Sequence, residues 1–272
     1  MIISDTHRLV FIQVPKCASS TVRRQLTPID TVGDFFHSVK EHPALGQIDY
    51  FHIPLDPLRA YFPEAFAKLR RYASFAICRD PYRRFKSALA QYARGQYGTE
   101  LTYLSGAARR KLVDRAIGYL SRNPEGLAPE FIHFARQERY LCLNGEKVVR
   151  HIYPIERVDA MLGAMSARTG RRIEALSLDN PTLYYPSRRV EIIVKAGNRL
   201  ARAALPPRLY AALKSRAQNV LRATDRPAKD TVLTSETVCA FIAEFYAGDL
   251  AIHRACLDRF GVRPPRNLAS VA

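Results

Sequence analysis

Residues 8–26 read RLVFIQVPKCASSTVRRQL. The segment Arg8 to Val14 is short, β-branched and aromatic, with polar residues before it and Pro15 after it, which predicts a buried strand. The chain then turns sharply. From Ser19 onward small polar residues are suited to cap a helix, and Val22 and Leu26 fall one turn apart on a single face. A strand, a tight turn and a helix in this order form a concave anion site: successive backbone N–H groups converge, the helix dipole adds positive potential, and small side chains let a phosphate approach. Lys16 adds a point charge. The run is not G-x-x-x-x-G-K-[ST], so the ordinary ATP and GTP loop, with its Mg²⁺-bound triphosphate, is absent. The plainer reading is a polar turn carrying an exposed lysine.

The same order recurs downstream. Ser74 to Cys78 (SFAIC) predicts a second buried strand, Arg79-Asp80-Pro81 breaks it, and YRRFKSALAQYAR continues as a helix in which Phe85, Leu89 and Tyr92 repeat at helical spacing. Arg79 stands where that strand ends, the ligand-binding edge of an open α/β sheet, and Ser87 follows along the helix with a hydroxyl suited to an anion. The plainer reading pairs Arg79 with Asp80 and leaves Arg83, Lys86 and Ser87 solvated. A third strand is expected over Val148 to Tyr153, with Pro154 after it and a helix through Val158, Met161 and Leu162. Strands alternating with helices predict an α/β fold with a central parallel sheet between helical layers, three layers in all.

Around this frame, residues 95–130 are expected to form helices and loops above the sheet, and the stretch from Ser235 a long C-terminal helix bent near Gly248. No internal repeat is visible, and the chain reads as a single domain over residues 1–272. Its charge is uneven: with 42 Lys plus Arg against 25 Asp plus Glu the formal net charge is +17, which calls for anionic partners. From Arg188 to Lys229 there are eleven basic and two acidic residues, a net of +9, interrupted by Pro206 and Pro207, which should separate two helices. Apolar residues between those charges (Ile192, Ile193, Leu200, Leu205, Leu209, Leu213) suit a helix lying over an acidic acceptor or an anionic membrane surface. Aromatics are not interleaved with the charges as a single-strand stacking platform requires, which argues against nucleic acid. Cysteines at 17, 78, 142, 239 and 256 form an odd set without a C-x-x-C pair, against a disulfide framework or zinc ribbon and for a reducing compartment. No signal segment or long apolar run is present, so the expectation is a cytoplasmic protein, peripheral at most to the inner membrane face.

Two anion sites on adjacent strand ends fit a ligand with phosphates at both ends of a nucleoside. PKCASST and ICRDPYRRFKSAL, at this separation, resemble the two nucleotide-binding motifs of the sulfotransferases that use PAPS (3′-phosphoadenosine 5′-phosphosulfate), especially the branch of carbohydrate sulfotransferases and their bacterial relatives. HFARQ at 133–137, RHIYPIERVD with Glu156, and FYAGDLAIH resemble later landmarks of that branch. The resemblance implies the sulfotransferase variant of the P-loop NTPase-like architecture. It implies that Lys16, Cys17, Ala18, Ser19, Ser20 and Thr21 hold the 5′-phosphosulfate, with Lys16 at the bridging oxygen, and that Arg79 and Ser87 hold the 3′-phosphate. Cys17 and Ser19-Ser20 depart from the Thr-Ala-Gly-Thr of many relatives, which a cradle of backbone amides tolerates. Phe134 stands where some relatives have Trp.

Sulfuryl transfer needs an activated hydroxyl, a stabilised leaving group and an in-line arrangement of the two. Lys16 is the residue for the leaving phosphate. His52, in HIPL before the second strand unit, is the candidate base, placed where similar carbohydrate sulfotransferases carry a catalytic histidine. His133 is the next candidate, or serves the acceptor or the structure, and Glu156 either pairs with an arginine near the nucleotide or acts as an alternative base. The expected acceptor is a hydroxyl of a carbohydrate or glycolipid, and the scheme requires no metal. A kinase with a degenerate P-loop, and a basic protein binding nucleic acid or membrane surfaces, are the alternatives.

Overall fold

In the computed structural model, residues 1–173, 188–206, 209–210 and 232–263 are described. The strands are β1 (Ile2–Ser4), β2 (Leu9–Ile12), β3 (Val39–His42), β4 (Gly46–Asp49), β5 (Ala73–Cys78), β6 (Cys142–Leu143), β7 (Glu146–Lys147) and β8 (His151–Pro154). The α-helices are α1 (Ser19–Leu26), α2 (Leu55–Tyr61), α3 (Pro63–Arg71), α4 (Pro81–Tyr97), α5 (Gly106–Arg122), α6 (Glu138–Leu141), α7 (Val158–Thr169), α8 (Arg188–Ala204), α9 (Glu236–Phe245) and α10 (Ala247–Arg259).

The central sheet has the order β1-β2-β5-β8. β2, β5 and β8 run parallel, with Phe11 opposite Phe75 and Phe75 opposite His151. All four residues of β2 are buried, as are Ser74 to Cys78 of β5, so both faces of these strands are covered. Helix α3 packs on β2 and β5, and α7 and α10 pack on β8. To the parallel sheet of the three expected strands the structure adds an edge strand: β1 pairs antiparallel with β2, Ile2 opposite Phe11. A turn through Asp5 to Arg8, with Arg8 at φ 47°, is tight enough for a hairpin, whereas a parallel partner needs a crossover.

Other boundaries also move. Val14 N–H bonds back to Ile12 O, so the first strand stops before the apolar run does. Val148 and Val149 both donate to Leu141 O, which keeps them out of the sheet and starts β8 at His151. The C-terminal helix breaks at Tyr246, ahead of Gly248, which lies close to the Glu138 carboxylate so that a larger residue would push that side chain aside. In the basic segment α8 forms as expected, while the helix expected after Pro207 lies mostly outside the described residues. No helix among the described residues is long and apolar enough to cross a membrane.

Parallel pairing decides where the two turns lie. Ile12 is level with Ala76, so the chain leaves β2 and β5 at the same sheet edge, side by side. Helix α4 starts as its sequence demands: Pro81 occupies the first turn, Asp80 accepts from Arg83 N–H at 2.9 Å, and Gly98 at φ 62° ends it. Its apolar face, Phe85, Leu89 and Tyr92, enters a second core with α5, α9, Phe134 and Tyr246. Helix and sheet are thereby anchored independently on either side of the Arg79 turn.

Candidate active site

The turn after β2 is held in a conformation that L-residues rarely adopt. Lys16 and Ala18 have φ of 62° and 58°, each at a cost of roughly 1–3 kcal/mol. Alternation of left- and right-handed residues is the geometry that turns successive N–H groups into one concavity. Local bonds keep it there: Ser19 Oγ donates to Val14 O at 2.9 Å, and the Arg79 guanidinium donates to Lys16 O at 3.1 Å. Cys17 is fully buried, its Sγ directed at Pro15 O (3.5 Å) and Gln137 Oε1 (3.2 Å). Burial pushes this thiol up to about 12. At positions 17 and 19 the turn therefore presents backbone, with both side chains turned into the protein. Ser20 is exposed and Thr21 half-buried at the start of α1.

One side chain ties this turn to the next. The Gln137 carboxamide, 0% exposed, accepts from Arg79 N–H at 2.8 Å through Oε1, the same oxygen that takes the Cys17 thiol, and donates through Nε2 to Arg79 O at 2.8 Å. Gln137 is itself fixed by Asp249, whose carboxylate accepts from the backbone N–H of Gln137 (2.9 Å) and Glu138 (2.8 Å) and from Arg84 (3.4 Å). Arg84 also donates to His133 O at 3.2 Å and lies 5.1 Å from the Tyr246 ring. Burial raises the Asp249 carboxyl, against the pull of Arg84 and these N–H donors.

Arg79 does not pair with Asp80, which is spent on capping α4. Burial, with the like charge of Arg83, lowers the Arg79 pKa, the signature of a cation withdrawn from water without a full counter-charge. Ser87 is half-buried on α4, one helical turn beyond Arg83. Glu156, just after β8, accepts from His253 Nε2 at 3.5 Å. Burial works to raise its carboxyl, but the His253 and backbone hydrogen bonds and Arg83 outweigh it, and the pKa is lowered. The partner shown for Glu156 is thus His253, and the positive charges of Arg83 and Arg79 act on it without a direct ion pair to either.

Lys16, His52 and His133 meet beside this pair of turns. The two imidazole rings lie edge to face with centroids 5.5 Å apart. His52 Nδ1 is 2.7 Å from Gln13 O; a carbonyl only accepts, so Nδ1 carries the proton and Nε2 keeps its lone pair. Burial, then His133 and Lys16, push His52 down to about 3, and burial, then Lys16, Arg84 and Arg94, push His133 down to about 4. Lys16 is itself lowered to about 8 by burial and by Arg94 and Arg79. Every group here is displaced towards its neutral form, first by burial and further by neighbouring positive groups. The site is prepared for an anion it does not itself supply. Gln13, 3% exposed, adds an amide Nε2 with no partner among the described residues. Asp49, His52 and His133 offer metal-ligand atoms within 4.8 Å of one another, but the charges of Lys16, Arg84 and Arg94 around them oppose a divalent cation.

Gln137, Asp249, Arg84 and Arg94 carry no role in the reading of the sequence alone. Their only signal is membership of HFARQ, FYAGDLAIH and the α4 motif. An open apolar cavity of about 520 Å³, lined by Phe35, Tyr61, Phe62 and Lys68 among others, shares no residue with the site. Comparison with curated proteins and with solved structures returned no match. The sequence profile of the sulfotransferase family matches residues 1–195, a span that holds both turns, His52, His133 and Gln137, and the chain belongs to that family.

Proposed function

We propose that the protein transfers the sulfuryl group of PAPS to a hydroxyl of a carbohydrate or glycolipid. The observation that carries this reading is the buried Gln137 carboxamide, which fixes the Lys16 turn and the Arg79 turn side by side, the arrangement a nucleotide phosphorylated at both ends requires. The backbone of residues 16–21 would hold the 5′-phosphosulfate, and Arg79 with Ser87 the 3′-phosphate. Likeness of the motifs to the carbohydrate branch supports the acceptor class.

In the transfer, His52 Nε2 takes the acceptor hydroxyl proton as that oxygen bonds to sulfur. Lys16 stabilises the charge gathering on the bridging oxygen as its bond to sulfur breaks. The products are a sulfate ester and adenosine 3′,5′-bisphosphate. Phosphates seated beside Lys16 bring negative charge to the imidazoles and raise their basicity in the complex. His133 and Arg84, joined through the His133 carbonyl, keep the acceptor side in place. Incubation with labelled PAPS and a panel of glycans and glycolipids, read by mass spectrometry for added sulfate, tests the reading; absence of any sulfated product would refute it. A thermal shift with adenosine 3′,5′-bisphosphate exceeding that with ATP and Mg²⁺ separates it from a kinase.

Two further outcomes are expected. Arg79→Ala should weaken adenosine 3′,5′-bisphosphate binding about 10–100-fold, the worth of charged hydrogen bonds to phosphate; unchanged affinity by calorimetry would contradict the 3′-phosphate assignment. The pH profile follows from the lysine. In the free protein Lys16 is charged below about 8 and neutral above, so kcat/KM for the donor should fall above that pH, about tenfold per unit. His52 and His133, at about 3 and 4, stay neutral, so no acid limb should appear near the ordinary histidine value of 6.5. Lys16→Arg should remove the alkaline limb; the same limb in both proteins would exclude Lys16 as its source.

A further inference from the structure

Helix α8 (Arg188–Ala204) carries apolar residues on two sides: Val190, Val194 and Ala201 are half-buried, and a second apolar line faces out. Ile192, Ile193 and Leu200 are 58%, 69% and 71% exposed, and Ala196 between them is exposed as well. A surface helix ordinarily turns such a line towards the core. Along the same sequence, basic residues at 188, 195, 199 and 202 fall at positions on a line beside that of 192, 196, 200 and 203, Arg189 alone falls within the aliphatic line, and Glu191 is the one acidic residue of the helix. Past this helix the excess of positive charge continues to Lys229.

We propose that α8 is an interfacial anchor for an anionic lipid surface, its aliphatic line sunk at the boundary of headgroups and acyl chains and its basic residues against the headgroups. The two lines together select this occupant. A nucleic acid would satisfy the cations and leave Ile192, Ile193 and Leu200 in water. A second copy of this chain would cover the aliphatics and bring two basic helices together. A bilayer carrying negative headgroups satisfies both at once. The helix has too many charges to cross the hydrocarbon, so it lies on the surface. The inference is independent of the sulfuryl-transfer reading, since it uses neither turn.

The test is co-sedimentation of the full chain with vesicles of phosphatidylcholine alone and of phosphatidylcholine with about one third phosphatidylglycerol. Binding is expected to the anionic vesicles and not to the neutral ones, weakened but not abolished when salt is raised several-fold. The double variant Ile193→Ser/Leu200→Ser should partition at least about tenfold less, because two aliphatic side chains no longer enter the interface, with its melting temperature and affinity for adenosine 3′,5′-bisphosphate unchanged. Equal partition of parent and double variant would reduce the effect to charge alone and overturn the anchor. So would failure of the parent to bind anionic vesicles. Vesicle binding displaced by duplex DNA, with DNA affinity untouched in the double variant, would reassign the segment to nucleic acid. A parent dimer that the double variant dissolves, with vesicle partition unaltered, would reassign it to self-association.

Discussion

Lys16→Ala is expected to lower kcat by about 10²–10³-fold, the usual consequence of removing one group that stabilises charge developing in the transition state. Affinity for adenosine 3′,5′-bisphosphate should fall by no more than about tenfold, because backbone N–H groups and Arg79 remain. Alanine is the informative replacement. Lys16 sits at φ 62°, and glycine there would relax the backbone as well as remove the amine, mixing two effects. Steady-state kinetics and calorimetry on the same preparation check it. A kcat within twofold of the parent would remove Lys16 from the chemistry.

Asp249→Ala should cost about 3–5 kcal/mol of stability, because it leaves the Arg84 guanidinium buried and uncompensated, the two side chains being 1% and 0% exposed. For a chain of this size that is a fall on the order of 10 °C in Tm. The loss should spread to function, since the backbone of Gln137 loses its acceptor and the carboxamide that joins the two turns loses its support. Thermal melting by circular dichroism reads the first effect and nucleotide calorimetry the second. The double replacement Arg84→Met/Asp249→Leu should recover much of the melting temperature and little of the nucleotide affinity. A single alanine variant melting within about 2 °C of the parent would show that the buried pair is not what holds this junction.

How far the sequence carries the reader depends on the range of the interaction concerned. The Lys16 and Arg79 turns were legible because each is encoded locally: an apolar strand, a proline and a capped helix lie within a few residues of one another. Their arrival at the same edge was legible from strand-helix alternation. The antiparallel edge strand was not, because Ile2 to Ser4 is too short to show periodicity and its direction is set by the turn at Arg8. The extent of β8 was not, because Val148 and Val149 are as apolar as strand residues and are diverted by one carbonyl, Leu141 O. Least legible was the junction behind the site. Gln137 and Asp249 are 112 residues apart, and nothing in HFARQ or AGDLAIH announces that one orients the other. His52 was placed by resemblance alone; its tautomer comes from Gln13 O, a backbone atom that no side-chain pattern reveals.

The inward thiol of Cys17 carries a consequence for how this chain withstands chemical insult. Alkylating reagents and peroxides attack the thiolate, and a sulfhydryl held near 12, sealed from solvent and already engaged with Gln137, presents almost none at neutral pH. A cysteine in the middle of an anion-binding loop would ordinarily be the residue by which such a loop is poisoned. Here the turn keeps a sulfur atom at its centre with its reactive form suppressed by burial.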